Sequence, residues 1–215
     1  MGSKIEVHLN HLIDRYPKLI VCSEDVIKAY DLLEEAYSNG RKLLVCGNGG
    51  SASDSEHIVG ELMKEFKLKR KVYSDQATAL KAIDPELGQV LANNLQGALP
   101  AICLTGHSSL TTAFMNDANA DLVFAQQVNG YGKAGDVFLG ISTSGNSKNV
   151  LYAAVNAKAK GLKVIGLTGA KENKLMKFAD ACIHVPETET YKIQELHLPV
   201  YHCLCLMLED HFFGE

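Results

Sequence analysis

The sequence of 215 residues has no tryptophan, five prolines and no C-x-x-C pair among its six cysteines. It has no apolar run approaching the roughly 18 residues that a membrane-spanning helix needs, and its opening residues, MGSKIEVHLN, lack the apolar core of a signal peptide. We therefore expect a soluble, cytoplasmic protein whose cysteines are small buried hydrophobic residues in a reducing compartment.

Basic residues are not in excess either. The sequence contains 21 Lys and Arg residues and 25 Asp and Glu residues, which gives a formal net charge of −4. A mildly acidic chain does not favour nucleic acid or an anionic membrane as its main partner. Hydrophobic residues make up 47% of the chain, which excludes global disorder. The length is that of one domain with a full core, so we treat residues 1–215 as a single domain.

Apolar runs that read as strands alternate with helical patterns along the chain. The strand-like runs cover residues 42–46, 101–105, 136–142, 163–168 and 181–185. Helical patterns precede them in an N-terminal extension, residues 1–40, and lie between them near 50–66, 108–128, 146–160 and 173–179, with a long apolar helix over 190–213. This alternation predicts an α/β fold with a central parallel sheet of about five strands flanked by helices.

Residues 67–100 interrupt the alternation. They open with four basic residues and continue as one helix, or two short ones around Asp84-Pro85. Loops tolerate insertions well, so a solvated surface insertion is one interpretation. The other is a mobile cationic lid over an anionic substrate.

The first strand runs into a glycine turn, residues 47–51 (GNGGS), that carries G-x-G-x-x-A spacing through Ala52. A dinucleotide site needs an acidic residue about twenty positions later to hold a ribose. The sequence there is FKLKRKV, so we expect no nucleotide cofactor.

A second turn, the serine loop of residues 142–147 (STSGNS), follows the third strand and opens a helix. Four hydroxyl groups and a row of backbone N–H groups at a helix N-terminus favour a phosphate through hydrogen bonds and the helix dipole. A serine can also simply cap a helix, but one cap needs one hydroxyl group. The loop therefore predicts a phosphate site.

Two helices carry side chains suited to proton transfer or to metal binding. His57 and Glu61 are four residues apart and share a helix face, and Gln194 and His202 lie within roughly 80° of one face at 3.6 residues per turn. Their N and O donors can bind a divalent metal such as zinc. The same carboxylate and imidazole could move protons beside a carbonyl, as aldose–ketose isomerisation through an enediol requires.

In these motifs the chain resembles the sedoheptulose-7-phosphate isomerases, sugar-isomerase (SIS) domain enzymes of bacterial heptose synthesis. The matching motifs, in order, are GNGGS, the H-x-x-x-E of His57 and Glu61, Asn116-Asp117, STSGNS, and I-Q-E-x-H followed by His202. The resemblance implies conversion of sedoheptulose 7-phosphate to D-glycero-D-manno-heptopyranose 7-phosphate through an enediol. This is the first step of ADP- or GDP-heptose synthesis. It also implies a homotetramer with active sites at subunit interfaces.

The resemblance implies a role for each matching position. Glu61 is implied to be the base that moves the proton between C1 and C2, and His202 the partnering acid. One zinc ion per subunit, in members that carry the metal, would be bound by His57, Glu61, Gln194 and His202. The implied substrate-binding residues are Asn48, Gly49, Gly50, Ser51, Glu61, Asn116, Asp117, Ser142, Thr143, Ser144, Ser147 and Gln194.

Two other interpretations stay open at this point. A related SIS protein is a replication adaptor that binds the initiator DnaA; it shares the serine loop and I-Q-E but is described as lacking the counterparts of Glu61 and His202. A sugar-phosphate sensor would bind without turnover. The chain also departs from the family: residues 67–100 are longer than the usual connection, and Pro199 is expected to kink the last helix.

Overall fold

A five-stranded sheet forms the centre of the computed structural model, which describes residues 3–214. Its strands are β1 (Leu43–Cys46), β2 (Ala101–Cys103), β3 (Val137–Ile141), β4 (Lys163–Thr168) and β5 (Ala181–His184). They lie in the order β2-β1-β3-β4-β5, and every neighbouring pair is parallel. The predicted α/β class with a parallel sheet of five strands is confirmed.

Helices connect the strands. They are α1 (Ser3–Arg15), α2 (Ser23–Ser38), α3 (Gly50–Met63), α4 (Ser74–Ile83), α5 (Pro85–Asn94), α6 (Ser108–Asp117), α7 (Val123–Tyr131), α8 (Lys148–Ala159) and α9 (Thr190–Phe213). Short 3₁₀ turns cover Pro17–Cys22, Ala120–Leu122 and Leu175–Lys177.

Two of the predicted helical stretches were wrong in detail. Residues 108–128 form two helices rather than one, because Ala118 is extended and the Asn119 side chain accepts a hydrogen bond from the Asp121 backbone N–H, which starts a new turn. Residues 173–179 contain only the single 3₁₀ turn Leu175–Lys177.

The two faces of the sheet are covered by different helices. On one face, Leu43 and Val45 of β1 join a core with side chains of α1, α2, α3 and α9. On the other, Leu44 and Cys46 pack with side chains of α7 and α8. The side chains of a strand point alternately to opposite faces, so burial on both faces explains why the strands read as continuous apolar runs.

The insertion, residues 67–100, forms a helical hairpin of α4 and α5. Asp84 is the N-cap residue of α5, and its side chain accepts hydrogen bonds from the backbone N–H groups of Glu86 and Leu87. The insertion therefore contains two short helices rather than one. Ile83, Leu87 and Val90 are exposed on the hairpin. Whether the hairpin closes over a substrate stays a prediction.

The last helix, α9, spans the predicted range and continues unbroken through Pro199. Half of its residues are buried, so it forms part of the core rather than a surface helix. No helix between residues 3 and 214 is both long enough and apolar enough to cross a membrane.

Candidate active site

The glycine turn and the serine loop lie side by side at one edge of the sheet. β1 pairs with β2 on one side and β3 on the other, so the winding of the chain reverses between β1 and β3. In doubly wound sheets, ligands bind outside the carboxyl ends of the strands at such a reversal. The two turns follow these two strands and therefore meet at the expected ligand position.

Two asparagines join the turns directly. The Asn48 Nδ2 donates to Asn149 Oδ1 at 3.0 Å, and the Asn149 Nδ2 donates back to Asn48 Oδ1 at 2.9 Å. Asn149 Oδ1 also accepts from the Val150 backbone N–H at 3.0 Å, which fixes its side chain in the first turn of α8. The glycine turn is thus held to the helix that begins at the serine loop.

Polar contacts within the serine loop fix its conformation. The Ser142 and Ser147 hydroxyl groups lie 3.0 Å apart, and Ser144 Oγ accepts from the Asn146 backbone N–H at 3.2 Å. Gly145 has a φ of +60°, and a Cβ at this position would lie 2.1 Å from Asn173 Cγ. Only glycine fits this conformation without strain.

The loop presents unused donors at the N-terminus of α8. Ser147 is the N-cap residue, but its side chain makes no capping hydrogen bond. Orphan N–H groups at a helix N-terminus favour an anion. A cavity of about 190 Å³ borders the loop at Thr143 and Ser144 and is also lined by Lys171, whose ammonium group is a cation that the sequence motifs did not indicate.

A second cluster lies where α3 packs against α9. His57 Nε2 is 3.0 Å from Glu61 Oε1, and the His57 and His202 rings stand at 87° with centroids 4.9 Å apart. The structure therefore brings together three of the four residues that the sequence grouped for metal binding and proton transfer.

Two polar atoms of this cluster, Glu61 Oε2 and His202 Nε2, are buried and have no hydrogen-bond partner in the part of the chain that the structure describes. The Lys64 ammonium lies 3.6 Å from that Glu61 oxygen. Burial lowers the pKa of His202, and the nearby His57 lowers it further. A neutral imidazole is the form of histidine that binds metals.

Gln194 lies apart from this cluster. Its side-chain amide packs against Gly50, where an added Cβ would meet Gln194 Nε2 at 2.5 Å. Gln194 and His202 are close in angle around α9, but the rise over eight residues of the helix places them about 12 Å apart. Gln194 therefore borders the glycine turn, two helical turns away from His202.

The chemistry of the three clustered residues fits a divalent ion. Their ligand atoms are imidazole nitrogen and carboxylate oxygen, which zinc prefers, and two of these atoms have no hydrogen-bond partner among the described residues. Among the described residues, however, no three His, Cys, Asp or Glu side chains converge in a ready-made metal site. His57 Nε2 in particular contacts Glu61.

Asn116 and Asp117 are exposed at the C-terminal end of α6, and the Asn116 Nδ2 donates to Asp117 Oδ1 at 2.9 Å. Ser51 is buried and Gly49 has a φ of +56° in the glycine turn. The assignment of these residues to substrate stays a prediction.

Tyr201 and Asp54 were missed at the level of sequence. The Tyr201 hydroxyl lies 2.9 Å from His57 Nδ1 and donates to Asp54 Oδ1 at 3.3 Å. Burial raises the pKa of Asp54 and that of Tyr201. An apolar helix pattern gave no sign that the hydroxyl of Tyr201 had a polar partner. Asn149 was missed because it lies two residues beyond the STSGNS motif, which ends at Ser147.

Comparison with known sequences gives a consistent result. The SIS domain family matches residues 85–169. A phosphoheptose isomerase of Aneurinibacillus thermoaerophilus is 34% identical over 99% of this chain and 96% of its own length. Another, from Nitratiruptor sp., is 40% identical over 83% of this chain and 81% of its own length.

Solved structures agree with the sequences. A phosphoheptose isomerase from Francisella tularensis matches with a TM-score of 0.75 and 30% identity, covering 98% of this chain and all of that one (100%). The phosphoheptose isomerase of Neisseria gonorrhoeae matches with a TM-score of 0.70 and 31% identity, covering 94% of this chain and 95% of that one.

Proposed function

The chain belongs to the phosphoheptose isomerase family of SIS-domain proteins, and on that premise we propose that it isomerises sedoheptulose 7-phosphate to D-glycero-D-manno-heptopyranose 7-phosphate in the cytoplasm. The observation that carries this proposal is that one chain contains both a phosphate-type loop and a clustered carboxylate and imidazole. The serine loop supplies the anchor, and Glu61 with His202 supplies the groups for proton transfer.

The reaction moves one proton between two carbons. The Glu61 carboxylate removes a proton from C1 of the ketose, and the C2 carbonyl oxygen gains a proton to give an enediol. Glu61 then returns its proton to C2 while O1 loses its proton and becomes the aldehyde oxygen. His202 serves O1 and O2 in these transfers. Such acid–base catalysis contributes on the order of 10²–10⁴ in rate.

Zinc is part of the proposal. His57, Glu61 and His202 of one subunit would bind it together with Gln194 of the partner subunit, and the bound ion would polarise the sugar carbonyl. Two buried atoms, Glu61 Oε2 and His202 Nε2, make no hydrogen bond within residues 3–214 and support this set. The position of Gln194, two turns from His202 in its own chain, is the reason for assigning the fourth ligand to a second copy.

The distance between the glycine turn and Glu61 indicates that each active site is shared between copies. Glu61 lies eleven residues beyond Gly50 in α3, a rise of about 16 Å from the glycine turn. A seven-carbon sugar with its phosphate in the serine loop cannot span that distance. We therefore assign the phosphate anchor to one copy and the Glu61 cluster to a neighbour, within a homotetramer.

Mixing two inactive variants tests the shared site. Glu61→Gln removes the base, and a Ser144→Ala/Ser147→Ala double variant removes the anchor. In randomly mixed oligomers, about one quarter of the shared sites would combine an intact loop with an intact Glu61. We expect activity to return on co-expression. Mixed oligomers as inactive as the parents would show that each site lies within one chain.

Activity of the purified protein tests the function itself. We expect turnover of sedoheptulose 7-phosphate, loss of turnover by at least about 10²-fold in Glu61→Gln, and near-parental rates in the control Glu56→Gln on the same helix. A sensor or a DnaA-type adaptor would show no turnover of any C5–C7 ketose phosphate, with or without Zn²⁺.

A further inference from the structure

Tyr201 makes a polar contact that the family motifs do not require. Its ring is buried, with 2% of the residue exposed, while its hydroxyl lies between two polar side chains. It is 2.9 Å from His57 Nδ1 and donates to Asp54 Oδ1 at 3.3 Å. A buried tyrosine hydroxyl needs a partner, but a partner that touches the catalytic cluster has consequences for that cluster.

We propose that Tyr201, backed by Asp54, is a positioning residue that turns the His57 ring so that Nε2 faces Glu61. This inference rests on the proposed function, because it assigns a role to the surroundings of the same site. It follows from the geometry of three side chains on two helices: Asp54 and His57 on α3, and Tyr201 on α9.

The contacts of the two ring nitrogens fix which of them faces Glu61. The Tyr201 hydroxyl, which donates to Asp54 Oδ1, lies 2.9 Å from His57 Nδ1 and holds that side of the ring. The opposite nitrogen, Nε2, therefore faces Glu61 Oε1 at 3.0 Å, where a hydrogen on Nε2 or a bound cation would join the two side chains. Histidines that bind metals usually have their other nitrogen fixed in this way.

The contacts around the ring leave few other orientations. Tyr201 meets the His57 ring edge-on, with centroids 5.5 Å apart, and His202 meets it on another side at 4.9 Å. Without the Tyr201 hydroxyl, His57 would keep its packing but lose the only contact we find for Nδ1 among the described residues. Substitution of Tyr201 by phenylalanine therefore keeps the ring packing against His57 and removes only the hydroxyl group that contacts Nδ1.

The chain contains a matched control. Tyr30 is equally buried, its hydroxyl lies 3.0 Å from His211 Nδ1, and His211 Nε2 lies 3.4 Å from Glu34 Oε1. This second Tyr–His–Glu arrangement, between α2 and α9, lies outside the proposed site. Tyr30→Phe removes the same group from the same kind of contact.

The experiment compares Tyr201→Phe with Tyr30→Phe in the full-length protein. For Tyr201→Phe we expect kcat to fall about 10- to 100-fold with KM within about twofold, and affinity for Zn²⁺ alone to fall by a similar factor. In ¹⁵N-histidine spectra of the metal-free protein, the ring-nitrogen signals of His57 should shift. Tyr30→Phe should leave all three unchanged.

Unchanged kcat, unchanged Zn²⁺ affinity and an unchanged His57 spectrum in Tyr201→Phe would overturn the proposal. If Tyr201→Phe does not fold, Asp54→Asn provides the second variant, and an unaltered His57 spectrum together with parental kcat there would equally overturn it. Failure of the proposed function is a separate result: the parent would show no turnover, while the His57 spectrum would still report on Tyr201.

Discussion

Asn48 and Asn149 hold each other through two side-chain hydrogen bonds of 3.0 and 2.9 Å across neighbouring strand ends. Each asparagine thereby satisfies a donor and an acceptor of the other, and the glycine turn is fixed relative to the first turn of α8. In the proposed function, the sugar and the phosphate of one substrate bind to these two segments, so the spacing of the segments would determine whether both ends bind at once.

Removal of this pair should weaken substrate binding. In Asn149→Ala, Asn48 loses both contacts, and a loss of about 1 kcal/mol corresponds to a rise in KM of about fivefold. Steady-state kinetics with the sugar phosphate measures the effect. Asn93→Ala, which removes an exposed contact with Gln89 on α5, is the control and should leave KM unchanged. An unchanged KM in Asn149→Ala would contradict the coupling of the two turns.

A methyl group at Gly145 should distort the serine loop, the proposed phosphate site. Gly145→Ala would require a non-glycine residue at a φ of +60° and would push against Asn173. We expect a loss of about 1–3 kcal/mol in the free energy of unfolding together with a higher KM. Gly130→Ala in α7 has open space around the added methyl group and is the control. Equal effects of the two substitutions would refute the argument for Gly145.

The buried ion pair of Arg70 and Glu209 should be important for stability. Arg70 Nε donates to Glu209 Oε1 at 2.7 Å, and the carboxylate also accepts from three backbone N–H groups, of Phe66, Lys67 and Leu68. Burial opposes ionisation, yet these donors outweigh it and lower the pKa of Glu209. Arg70 in turn donates to the Glu61 backbone carbonyl at 2.9 Å.

Glu209→Gln should therefore cost about 3–5 kcal/mol in the free energy of unfolding, because it leaves a buried cation without its counter-charge. Urea denaturation at fixed protein concentration measures this cost. Asp25→Asn, which breaks an exposed pair with Lys28, should cost less than about 1 kcal/mol. A similar cost for both variants would contradict the role of the buried pair.

His197 should make stability depend on pH. It is fully buried, neither ring nitrogen has a hydrogen-bond partner within residues 3–214, and burial lowers its pKa from 6.5 to about 4. The folded state favours the neutral form, so this contribution to stability is present above pH 6.5 and is lost as the pH falls from 6.5 to about 4. The total loss is on the order of 3 kcal/mol.

Urea denaturation between pH 7 and 4 tests this linkage. His197→Gln should lose less stability than the parent over this range, because glutamine does not titrate. His11→Gln, at an exposed histidine, should follow the parental curve. Parallel curves for the parent and His197→Gln would contradict the prediction.

The sequence predicted the sheet because strands buried on both faces are continuous apolar runs, as in Leu43–Cys46. It predicted the two turns because glycines cluster at residues 47–50 and because the four hydroxyl groups at residues 142–147 exceed the single one that a helix cap needs. The separation of Gln194 and His202 by two helical turns could have been predicted from their eight-residue spacing, but the sequence prediction considered only the angle between them. Contacts between residues distant in sequence, such as Tyr201 with His57, depend on how α3 and α9 pack, and local pattern does not contain that packing.

The central claim is that this chain isomerises sedoheptulose 7-phosphate through an enediol, and NMR of the reaction in D₂O tests it most directly. Proton exchange at the base in an enediol mechanism should place deuterium at C2 of the aldose product and, through the reverse reaction, at C1 of the ketose. Glu61→Gln should abolish both the product and the exchange. Ketose that remains unconsumed and free of deuterium, with or without Zn²⁺, would contradict the account.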